Sequence, residues 1–224
     1  AVIGRKSRGV SGPADLEGSV LGAPPPDGAW AQFPSFAKAN GIDISKVKVE
    51  PVGFPTREPM LAEGKVDSVT GFSFSSYLNL VRLGVSEEDI STILMADHGL
   101  KLYGNAVIVN TDYAKNNPDM VKKFLVAIGA GWRDAIKDPK AAAAALVKRN
   151  PAADAALEQR RLQLAIDANV LTDYVKANGM GGVDSSRFAA AIEQLSETYE
   201  YKAAPNAALY FTDEYLPASG ISLN

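Results

Sequence analysis

Residues 20–30 read Val20-Leu21-Gly22-Ala23-Pro24-Pro25-Pro26-Asp27-Gly28-Ala29-Trp30, and how they are read decides the fold. A short apolar run ends at three prolines, which offer no backbone donor and cannot continue a strand ladder. Beyond Gly28, Trp30, Phe33, Phe36 and Ala37 fall on one helical face, so the spacing predicts a helix over 29–40. Asn40-Gly41 supplies the stop, because glycine accepts the left-handed conformation past a helix end. Strand, tight loop and helix in that order are the repeating step of an α/β protein. Working outward, strands are predicted at 47–52, 66–70, 92–95 and 106–109, with helices near 58–63 and over 76–83. The alternation predicts a mainly parallel sheet covered by helices, with residues 16–71 at the heart of one lobe.

From Thr111 onward the texture changes to helix. Asn117-Pro118, Asp138-Pro139 and Asn150-Pro151 each pair a capping side chain with a proline suited to the first helical position. Met120, Val121, Phe124, Leu125, Ile128, Trp132, Ala135 and Ile136 form a long apolar stripe, and 157–171 and 185–199 supply two more amphipathic segments. We therefore expect residues 1–109 to form an α/β part and 110–224 a mainly helical part. The helical part has long apolar faces and no evident sheet to cover, so dimerisation, a swapped assembly or a further segment is expected to cover them.

The chain has 224 residues, 46% hydrophobic and 22% charged, enough apolar material for a sizeable core. A net charge of -3 offers no basic face for nucleic acid. No apolar run reaches membrane-spanning length. The absence of cysteine removes disulfides, thiolate nucleophiles and zinc–thiolate sites, and a single histidine leaves no metal centre to expect. The first residue is Ala1 rather than Met, which points to processing or truncation.

Two strand-to-helix turns are the candidate sites, since ligands of open α/β sheets sit outside the carboxyl ends of strands. In the first, Pro25, Asp27, Gly28, Ala29 and Trp30 surround a helix start whose free N–H groups suit polar or anionic groups; a rigid surface turn is the competing reading. In the second, Gly71-Phe72-Ser73-Phe74-Ser75 alternates aromatics with hydroxyls, so Phe72 and Phe74 would stack on a planar ligand while Ser73 and Ser75 donate. The competing reading places both rings in the core. Arg57, at a helix start after a strand, is placed to clamp a carboxylate or sulfonate, or else lies at the surface. Tyr103 is a candidate to close over a ligand. Gly71–Ser75 is also a near miss for a hydrolase elbow, with serine in the second glycine position, and any triad would have to use His98.

Several segments carry a family likeness: Gly12-Pro13-Ala14-Asp15-Leu16-Glu17-Gly18 leading into Val20-Leu21-Gly22; Leu61-Ala62-Glu63-Gly64-Lys65-Val66-Asp67; Tyr103-Gly104-Asn105-Ala106-Val107-Ile108-Val109; Asn117-Pro118-Asp119-Met120; and Phe211-Thr212-Asp213-Glu214-Tyr215-Leu216-Pro217. Together they resemble periplasmic solute-binding proteins of ABC importers, within the nitrate/sulfonate/taurine and thiamine-pyrimidine-precursor-binding group. The resemblance implies a periplasmic-binding-protein-like α/β fold of the type II clamshell kind, with one complete α/β lobe plus a mainly helical C-terminal part of the other. It implies a periplasmic or exported protein that is not an enzyme and uses no cofactor. Such a protein binds a small polar or anionic solute (sulfonate, nitrate-like, carboxylate or heteroaromatic) in an interlobe cleft and hands it to an ABC permease. Pyrimidine-binding members carry an Asn-Glu-Pro element where this chain has Ser75-Ser76-Tyr77. Members also begin with strands of the first lobe, whereas this chain begins at the crossover into the second. The alternatives are an enzyme related to pyrimidine-precursor synthases and a serine hydrolase using Ser73 and His98.

Overall fold

A computed structural model describes residues 1–218 and 220–223. The chain forms two compact units, Ala1–Leu102 with Arg187–Pro205, and Tyr103–Ser186 with Asn206–Asn224.

The first unit is built on five strands: β1 (Val2–Arg5), β2 (Val20–Ala23), β3 (Lys48–Pro51), β4 (Ser68–Thr70) and β5 (Ile90–Ile93), in the order β3-β2-β4-β1-β5. β2 pairs parallel with both β3 and β4, and each of these three strands runs into a helix: α1 (Gly28–Ala39), α2 (Arg57–Ala62) and α3 (Ser73–Arg82). The expected mainly parallel sheet needs a correction, because β1 lies between β4 and β5 and is antiparallel to both. The reason is local. β1 leads into a tight turn closed by Gly9 at φ +82° rather than into a crossover helix, so nothing forces it to run with its neighbours.

Strand alternation separates two cores, one on each face of the sheet. Val2, Leu21 and Ile93 pack with Phe33 and Phe36 of α1, while Ile3, Val69 and Ile90 pack with Leu61 of α2 and Leu80 of α3. Full burial of Phe33 and Phe36 stabilises by roughly 1.5–3 kcal/mol each. Gly41, at φ +66°, ends α1 as its position predicts. The first unit also takes in most of helix α9 (Ser185–Thr198). Ser35 Oγ donates to Thr198 Oγ1 at 2.9 Å, Lys38 pairs with Glu197 at 2.9 Å, and Gln194 Nε2 donates to the Gly99 carbonyl at 2.8 Å.

The second unit is helical: α4 (Thr111–Asn116), α5 (Pro118–Lys137), α6 (Pro139–Arg149), α7 (Ala155–Ala165), which continues into one π turn over Ile166–Val170, and α8 (Asp173–Asn178). Asp138 caps α6 by accepting from Ala141 N–H at 2.9 Å with Pro139 at the first position, as expected. Asn150-Pro151 starts no helix. Asn150 ends α6, and Asp154 caps α7 by accepting from Leu157 N–H at 2.8 Å. The strand expected at 106–109 is absent: residues 101–110 have no regular structure, and Ile108 is 92% exposed.

Candidate functional site

The three parallel strands deliver three loops to one end of the sheet: 24–27 after β2, 52–56 after β3 and 71–72 after β4. A buried polar network ties these loops together. Asp27 accepts from Ala29 N–H at 3.2 Å, which caps α1, and its other oxygen accepts from Thr70 Oγ1 at 2.7 Å. Arg57 opens α2 and is buried. Its Nε and Nη2 donate to Glu58 Oε1 at 3.0 and 2.7 Å, Nη2 also reaches Ser76 Oγ at 3.2 Å, and Nη1 lies 3.6 Å from Asp27 Oδ2. Ser76 Oγ donates to the same Glu58 oxygen at 2.7 Å. Burial works against the charged form of Glu58, but donation from Arg57 and Ser76 outweighs it and holds the carboxyl below the usual glutamate range. The Ala1 nitrogen donates to the Gly71 carbonyl at 2.9 Å. Gly71 is required here, since a Cβ at that position would collide with Ser76 Oγ.

Aromatic faces border this network. The Phe54 ring lies 5.7 Å from the Arg57 guanidinium and is exposed. Phe72, 51% exposed, stacks on Phe74 with centroids 5.4 Å apart and planes 16° apart. Neither ring belongs to the two cores of the sheet.

The remaining expected residues fall as follows. Pro25 and Gly28 are exposed at the mouth of the first loop, and Ala29 is half-buried. Trp30 is half-buried and stacked on Phe33 at 5.5 Å, so one face of its indole belongs to the core. Ser73 and Ser75 occupy the first turn of α3, half-buried. Tyr103 lies in the second unit, where its hydroxyl accepts from Asp184 N–H at 2.8 Å. His98 turns its ring edge-on to Phe36 at 6.4 Å. Glu58, Thr70, Ser76 and Phe54 are members or neighbours of the network that the sequence reading passed over. Their shared signal is position, each being the last residue of a strand, a residue of a strand-to-helix loop, or a residue in the first turn of the helix that follows. Among the described residues no group of acidic residues and histidine is arranged to hold a metal ion, and no helix is long and apolar enough to cross a membrane.

A sheet of this order, with its polar network at the carboxyl ends of the parallel strands, has the periplasmic-binding-protein-like α/β fold. Two solved structures share it: the aliphatic sulphonate-binding protein SsuA of Escherichia coli (TM-score 0.68, 14% identity) and the alkanesulfonate-binding protein SsuA of Xanthomonas axonopodis pv. citri bound to MOPS (TM-score 0.64, 15% identity). Each match covers 92% of this chain and 65% of the other. The chain belongs to the NMT1/THI5-like family, whose model matches residues 1–142. It is also 26% identical over 209 residues to the riboflavin-binding protein RibY of Chloroflexus aurantiacus, covering 91% of this chain and 57% of that protein. The chain therefore spans less than two thirds of the length of these relatives.

Proposed function

We propose that this chain is the solute-recognising part of an ABC importer, binding a small polar solute at the strand-end surface of its first unit for delivery to the permease. The observation behind this reading is the convergence of three strand-to-helix loops on one buried Asp27–Arg57–Glu58 network bordered by exposed aromatic rings. Family membership supports it, as do the relatives whose names record sulfonate and riboflavin binding. Binding energy comes from ring stacking and a few oriented donors and acceptors, with no bond made or broken. In this reading Pro25, Asp27, Gly28, Ala29, Trp30, Arg57, Phe72, Ser73, Phe74 and Ser75 shape the site, and the protein works outside the cytoplasmic membrane. His98, packed on Phe36, holds no place in the mechanism.

The test is a thermal-shift screen of the full chain against sulfonates, nitrate, carboxylates and heteroaromatic compounds. A ligand present at a hundred times its Kd adds about 2.7 kcal/mol of stability. Phe72→Ala should reduce that gain without lowering the melting point of the free protein, because the ring is exposed. A screen in which no solute raises the melting point would defeat the reading.

A further inference from the structure

We propose that Phe54 is a solute-contacting residue and that Glu58 is a positioning residue, which holds the Phe54 ring in place by acting through the Arg57 guanidinium. This rests on the solute-binding reading above and divides the same site into groups that touch the solute and groups that aim them.

The buried network is closed on itself. Asp27 accepts from Ala29 N–H on one oxygen and from Thr70 Oγ1 on the other. Glu58 Oε1 accepts from Arg57 Nε, Arg57 Nη2 and Ser76 Oγ. Among the described residues the Ser68 hydroxyl is the only buried side-chain polar atom without a partner, and it lies outside this network. Donors and acceptors are thus matched within the chain. A solute reaching for either would break a buried bond and strand its partner. What the network supplies is geometry.

That geometry converges on Phe54. A guanidinium is flat and donates only in its own plane. One edge of Arg57 is fixed by Glu58, and Nη1 lies 3.6 Å from Asp27 Oδ2, so the plane cannot turn. Gly71 keeps this space open, since a Cβ there would press on Arg57 Cζ at 3.2 Å as well as strike Ser76 Oγ. The fixed guanidinium lies over the Phe54 ring, a cation–π arrangement. The ring belongs to neither core of the sheet and is 48% exposed. Its turn is closed by Thr56 N–H and Thr56 Oγ1, each donating to the Gly53 carbonyl at 3.1 Å. A large apolar ring is therefore held outside the core, on one of the three loops at the strand ends, with a buried cation against it. Its exposed area is what a solute arriving there meets.

Isothermal titration calorimetry on the full chain, with riboflavin, 4-aminopyrimidine and MOPS as probes, tests both roles. Phe54→Ala should weaken binding of any probe that the unaltered protein takes up, by roughly threefold to tenfold. Glu58→Ala should weaken it by a similar factor, and Glu58→Gln, which keeps an acceptor for Arg57 and Ser76, should restore most of the loss. In the Phe54→Ala background, Glu58→Ala should add less than about twofold, because the two residues act as one unit. Should Glu58→Ala fail to show a melting transition, Ser76→Ala, which removes one of the three bonds to Glu58 Oε1, replaces it in the cycle. A readout free of solute is the Arg57 Nε–H resonance. Phe54→Ala should move it while Glu58 is present and leave it in place once Glu58, or in the substitute cycle Ser76, is alanine. Binding unchanged by Phe54→Ala would overturn the contact. Equal losses in the two backgrounds, or a resonance indifferent to Phe54, would overturn the positioning role. Each of these leaves the solute-binding reading standing. If none of the three probes binds the unaltered protein, that reading and the contact assigned to Phe54 fall together, and the resonance still decides whether Glu58 holds the ring.

Discussion

Single atoms in the first unit set measurable energies. Ser68 is fully buried in β4, and its hydroxyl has no hydrogen-bond partner among the described residues. Burying an unsatisfied hydroxyl costs about 1–3 kcal/mol, so Ser68→Ala should stabilise the protein by about 1 kcal/mol. The check is a higher urea midpoint at unchanged m-value. Asp27 is the opposite case, since it caps α1, accepts from Thr70 and faces Arg57. Asp27→Ala should cost about 2–3 kcal/mol, combining a lost cap with a poorly compensated buried cation. Glu58 adds a pH dependence whose sign is fixed. Its carboxyl is held below the ordinary value of 4.5, so its stabilisation is complete above that pH and is lost as pH falls through the lowered value. Denaturation measured between pH 7 and 3 should therefore show a loss below pH 4.5 that is smaller in Glu58→Gln. The sequence showed where these residues stand but not whom they meet. Thr70 and Asp27 are 43 residues apart and Ser76 and Glu58 are 18 apart, and no periodicity reports a contact made through the sheet.

Elements were legible where one physical cause dominated. The apolar spacing of Phe33, Phe36 and Ala37 placed α1, and Asn40-Gly41 placed its end within a residue. Residues 106–109 show the limit of that logic. Val107 and Ile108 have the β-branched character of a strand, yet without a neighbouring strand to supply ladder partners the segment stays irregular and both side chains are exposed. Asn150-Pro151 failed for another reason. Capping chemistry marks a candidate start, and Asp154 four residues later supplied a second that the fold used. Helix α1 also carries Pro34 in its interior, which removes the N–H that would bond the Trp30 carbonyl. One residue on, the Ala31 carbonyl accepts from the Tyr199 hydroxyl. Proline in a helix interior costs about 3 kcal/mol relative to alanine, and its smaller unfolded-state entropy returns up to about 1 kcal/mol. Pro34→Ala should therefore raise stability by about 1–2 kcal/mol, read as a higher thermal midpoint.

At the scale of the molecule, the two units differ in how their apolar surface is used. The first sandwiches its sheet between helices. The second leaves Met120, Phe124 and Val126 of α5 exposed, together with Val107 and Ile108. Scattered exposed apolar residues are ordinary, but Met120 and Phe124, one turn apart, put two large ones on the same face of α5, which favours association. We expect a protein of residues 1–224 alone to self-associate, and Phe124→Glu to shift it towards monomer in analytical ultracentrifugation. Of the apolar stripe read along α5, Met120 and Phe124 are exposed, whereas Val121 is buried and Leu125, Ile128 and Trp132 are half-buried. The indole stacked on Phe33 has a further use. The chain has two tryptophans, Trp30 in the first unit and Trp132 in the second. Each unit therefore carries its own fluorophore, and Trp132→Phe leaves a single emitter in the unit that bears the loops. Its emission during denaturation would follow that unit alone, and comparison with the signal from a Trp30→Phe protein would show whether the two halves melt together or in turn.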